Sequence, residues 1–100
     1  MRTFGKDSPR FMEFKREGDK KTYRLPLAAS LKPAYNLRLL KAESIGDAGE
    51  RELVAQQLIV DIFTEYLGAE FVETTTVSQM LEIWKAWLEE SRDANQEAGE

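Results

Sequence analysis

Residues 10–27 read RFMEFKREGDKKTYRLPL, and they decide whether the chain is all-helical or mixed. Met12 and Phe14 alternate with Glu13 and Lys15, and Tyr23, Leu25 and Leu27 alternate with Arg24 and Pro26. A period of two sends successive side chains to opposite faces of a strand. Between the runs stands EGDK, with Gly18 and Asp19 as turn residues. The pattern predicts a β-hairpin over 10–27 with one apolar and one charged face. Pro26 cannot donate to a ladder, so it marks the end or an edge of the second strand. A hairpin alone is marginal in water, so its apolar face must lie on other elements.

Those elements are helical. SLKPAYNLRLLKAE, from Ser30, carries Pro33 in its first turn, where a missing N–H costs little. It predicts a first helix over about 31–43. Asp47 and Glu50 form a capping box for a second helix over 48–67, stopped by Gly68. Its apolar positions, Leu53, Leu58, Ile59 and Phe63 among them, cover more than half the circumference, as expected of a central core element. Thr76 and Gln79 make a second box for a third helix over 77–91. There Val77, Met80, Leu81, Ile83, Trp84, Trp87 and Leu88 fall within an arc of roughly 160°. Residues 1–9 read as a flexible N-terminal arm and 92–100 as a disordered acidic tail. The expected fold is therefore one α+β domain over 10–91, a hairpin packed on a small bundle of about three helices.

Composition narrows the function. The chain has 100 residues, 42% apolar and 32% charged, which suits one soluble globular domain. It contains neither cysteine nor histidine, so disulfides, thiol nucleophiles and imidazole chemistry are absent. No cofactor and no metal are expected. The start MRTFGKDSPR lacks a signal-peptide core, no apolar run is long enough for a membrane span, and a cytoplasmic home is expected. Net charge is −4, but residues 1–41 carry eleven Lys/Arg against four Asp/Glu, and residues 42–100 three against fourteen. That division, +7 against −11, has two readings. Either the halves fold against each other and neutralise themselves, or copies associate head to tail, which yields rings or open spirals.

Residues that could carry chemistry are few. The carboxylate pairs Asp61/Glu65 and Glu70/Glu73 lack a histidine or third ligand and read as solvated surface. GDAG at 46–49 matches a bare nucleic-acid-gripping pattern, but Asp47 would repel phosphate and serves better as a cap. Lys15, Arg16, Lys20, Lys21 and Arg24 could line a nucleic-acid surface with Phe11 and Tyr23. Tyr23 is in phase with Leu25, however, and charge on a hairpin also blunts an exposed edge. Protein binding is preferred over an enzyme or a nucleic-acid reader. Trp84, central in the arc, is expected in the core, and Trp87, toward its edge, is expected to anchor a partner.

The hairpin FKREGDKKTYRLPLAASL followed by TTTVSQMLEIWKAWLEES resembles the tail assembly chaperones of long-tailed bacteriophages and prophages. Those proteins often show a Gly-centred turn, a strand ending YxLP and a late helix with an I/F-x-AW-x-E-x-S signature. Here the positions are Tyr23, Leu25 and Pro26, then Ile83, Ala86, Trp87, Glu89 and Ser91. The resemblance spans about residues 10–92. It implies a non-enzymatic protein that binds and solubilises the tape-measure protein, associates with itself and promotes tail-tube assembly. Ile83, Trp84, Trp87 and Leu88 are the expected partner-binding residues. Basic Lys15, Arg16, Lys20, Lys21 and Arg24 of one copy are expected to face Glu70, Glu73, Glu89 or Glu90 of the next. The alternative is a minor tail or head–tail structural protein retained in the virion.

Overall fold

The computed structural model describes Arg2 and residues 10–98, with side chains through Ala94. Among these residues the order is β1 (Phe11–Phe14), β2 (Tyr23–Pro26), a 3-10 turn (Ala28–Ser30), α1 (Pro33–Glu43), α2 (Ala48–Leu67), α3 (Ala69–Glu73) and α4 (Val77–Ala98). The α+β architecture, a two-stranded antiparallel hairpin ahead of a helical layer, is the expected one. The arm expected at 1–9 lies, apart from Arg2, outside the described residues.

Alternation fixes the hairpin's register. Met12 opposes Leu25 and Phe14 opposes Tyr23 on the inner face, while Glu13 opposes Arg24 on the outer. Gly18 has φ +81°, a conformation that only glycine adopts without strain, and Asp19 N–H donates to the Arg16 carbonyl across the turn. Outside, the Arg24 guanidinium lies 4.3 Å from the Phe11 ring centroid and 3.4 Å from Glu13.

Tyr23, Leu25 and Leu27 press onto α2, whose Leu58, Ile59, Ile62 and Phe63 form the centre of the core. Both capping boxes act as N-caps: Asp47 accepts from Glu50 N–H at 2.8 Å, and Thr76 accepts from Gln79 N–H at 3.2 Å. Asp61 and Glu65 lie at the surface and tie α2 to the preceding segment. Arg38 meets Asp61 at 2.7 Å, and Lys32 pairs with Glu65.

Three departures have local causes. Gly68 ends α2, but its φ of +100° turns the chain straight into α3, a short helix beyond the three expected. That turn delivers Phe71 to the core, edge-on to Tyr23 at 4.7 Å. Helix α1 starts at Pro33 rather than at residue 31, because 28–30 form the 3-10 turn. Finally, α4 runs to Ala98, through most of the segment expected to be a disordered tail; residues 92–98 hold no glycine or proline to stop it.

Candidate functional site

Helix α4 carries most of the residues of interest, and its rotation decides which are available. Trp87 is fully buried, at 0% exposure. Its indole N–H donates to the Pro26 carbonyl at 2.7 Å, at the end of β2. One turn on, the buried Ser91 hydroxyl accepts from Ala28 N–H at 3.1 Å. These two bonds seat α4 on the strand end and the 3-10 turn. They rotate the helix so that the line Met80–Trp87–Ser91 faces the core. Trp87 is therefore a core residue, which corrects its expected role as an exposed anchor. Trp84, expected in the core, is only half-buried, stacked on Trp87 at 4.6 Å and tilted to Phe63 at 6.4 Å.

The same rotation pushes the other half of the arc outward. Val77 (59% exposed), Leu81 (44%) and Leu88 (41%) line up with Trp84 at helical spacing 77, 81, 84, 88. Eleven helical rises from Val77 to Leu88 make this stripe about 17 Å long. At one end Val77 and Leu81 share a small cleft with Gln56, Ile59 and Val60 of α2. At the other, Trp87 and Leu88 face Leu39 and Leu40 of α1 across a groove of about 630 Å³. Leu37 and Leu40 on α1, and Leu53 on α2, are also exposed. Of the four expected contact residues, Trp84 and Leu88 belong to this stripe, Ile83 lies half-buried on the β1 side, and Trp87 is internal. Val77 and Leu81, in the apolar arc but outside the expected site, complete it.

The expected self-association residues separate into four groups. Arg16 is partly buried and spends its guanidinium inside the fold. Its guanidinium donates to Thr74 and Thr75 at 2.8 Å and to Asp19 and Tyr23 at 3.0 Å, and lies 4.7 Å from the Phe71 ring centroid. It couples the hairpin turn to the α3–α4 link, a position no periodicity marks. The cluster holds Asp19 well below the usual carboxylate range, at about 2, through the Lys21 N–H first, then the Tyr23 hydroxyl and Arg16. Burial, then the Asp19 contact, pushes the Tyr23 phenol up. Tyr23 is thus a core residue and no stacking platform for bases. Lys21 and Glu70 share a cleft within the chain, and Arg24 meets Glu13 inside the basic half, while Lys32–Glu65 and Arg38–Asp61 neutralise part of the +7/−11 division. Lys20 and Glu73 are exposed, while Lys15, Glu89 and Glu90 line a second groove, between β1 and α4.

Among the described residues no three His, Cys, Asp or Glu side chains converge as a metal site would require, and no helix is long and apolar enough to cross a membrane. Comparison with protein-family models, curated proteins and solved structures gave no match, so the chain's relations rest on its own residues.

Proposed function

We propose that the protein is a phage tail assembly chaperone that holds an apolar helical stretch of the tape-measure protein against α4. The observation that carries this reading is the exposed stripe Val77–Leu81–Trp84–Leu88, flanked by apolar residues of α2 and α1. A solvent-facing apolar strip of three turns matches one face of an amphipathic helix, the form in which a long helical client displays its sticky surface. The likeness of the hairpin and the late tryptophan helix to that family supplies the identity of the client.

Co-expression with the tape-measure protein encoded nearby, followed by capture through a tag on this chain, is the test. Soluble tape measure should co-purify with the wild type, and Leu81→Glu with Leu88→Glu should abolish capture while leaving the melting curve close to wild type. Insoluble tape measure beside well-folded wild-type protein sinks the proposal. Recovery of the protein from purified virions would favour the structural alternative.

A further inference from the structure

We infer that the groove between β1 and α4 is a docking site for an extended, basic peptide segment of another protein, added as a third strand to the hairpin. Strand β1 pairs with β2 on one side only, and among the described residues no strand covers its other edge. That edge faces α4 across a groove of about 560 Å³. Met12, Phe14, Ile83 and Ala86 give the groove an apolar lining. Unpaired backbone groups beside an apolar surface are what an added strand needs.

Charge selects the occupant. Glu82, Glu89, Glu90 and Asp93 line the α4 wall, and Lys15 is the one cation among the lining residues. None of the four carboxylates is drawn into an ion pair among the described residues. Glu82, Ala86, Glu89 and Asp93 follow one another at spacings of three or four, so they form a single line along the helix. Glu89 and Asp93 are about 6 Å apart along the axis, close to the roughly 6.7 Å between alternate residues of a strand. A strand with Lys or Arg at every second position would lay its aliphatic stems over Ile83 and Ala86 and carry its charged heads to these carboxylates. Helical clients are disfavoured here, because a helix spends its own backbone donors internally and leaves the β1 edge unpaired. This site is separate from the apolar stripe, and neither stands or falls with the other.

The test uses the full chain, isotope-labelled, titrated with a blocked hexapeptide of alternating lysine and threonine. Amide shifts should saturate and concentrate at residues 11–15 and 82–93. The same peptide with alternate backbone nitrogens methylated, prepared in both registers, should lose binding in one register. Glu89→Lys with Asp93→Lys lies on exposed positions and should retain the wild-type melting curve, with affinity reduced about tenfold. Equal binding by both methylated peptides, by the charge-reversed chain or by a glutamate–threonine peptide would overturn the inference, as would no saturable binding. If the peptide moves nothing but the charge reversal changes the chain's own mass in solution, the occupant is a second copy and the inference fails.

Discussion

Trp87 joins apolar burial to a single hydrogen bond, and replacements can separate the two. Trp87→Phe keeps an aromatic ring but leaves the Pro26 carbonyl without its donor, which should cost about 1–3 kcal/mol. Trp87→Ala adds a cavity and should cost about 3–5 kcal/mol, a large share of the roughly 5–15 kcal/mol holding a domain this size. Chemical denaturation reads both. Leu81→Glu sits on the exposed stripe and should stay within about 0.5 kcal/mol of wild type while weakening client capture. An anchor test on Trp87 would confuse unfolding with lost binding; Leu81 and Leu88 avoid this. The inversion of Trp84 and Trp87 also shows what a helical wheel leaves out. The wheel finds the apolar arc but centres the core on its middle. Here two polar contacts, to Pro26 and Ala28, turn the arc off centre. Ser91, a polar residue outside the apolar pattern, was the only sequence sign of that.

At the scale of elements, the hairpin was legible because period two, a Gly-Asp turn and Pro26 all agree. Helix α2 was legible through its caps. Helix α3 was not, because five residues carry too little periodicity and its position depends on the backbone of Gly68. Gly68→Ala should therefore destabilise by about 1–3 kcal/mol in a denaturant titration, since φ +100° with ψ 155° belongs to glycine. The Arg16 cluster, which clips the turn to the α3–α4 link, makes a pH prediction. Asp19 ionises at about 2 in the fold against an ordinary 3.8, so its contribution is complete above about pH 4 and is lost as pH falls toward 2. Thermal melts across that window should show a loss that Asp19→Asn removes. Arg16→Lys should lower the melting temperature, because one ammonium cannot serve Thr74, Thr75, Asp19 and Tyr23 together.

Across the whole molecule, the charge division readable in the sequence is partly spent inside the fold, at Arg38–Asp61 and Lys32–Glu65. Outside those pairs stand, among others, an exposed Lys20 at the hairpin tip and the acidic wall of α4. Any association these drive should weaken as salt shortens the screening length to about 8 Å at physiological strength. Light scattering at low and high salt measures it, and an unchanged mass would exclude a charge-driven assembly. The stacked tryptophans add an optical property. Both indoles of the chain lie on α4 in one pair, 4.6 Å apart, so their transitions couple into a split circular-dichroism band that is lost when α4 unwinds. Tryptophan fluorescence during unfolding thus reports how α4 is seated on the strand end and on Phe63, while far-ultraviolet ellipticity reports every helix. If the two traces coincide, the domain melts as a unit. If fluorescence moves first, α4 peels away from a hairpin still seated on α2. A client on the stripe would cover Trp84 and shift the emission of the pair without unseating Trp87.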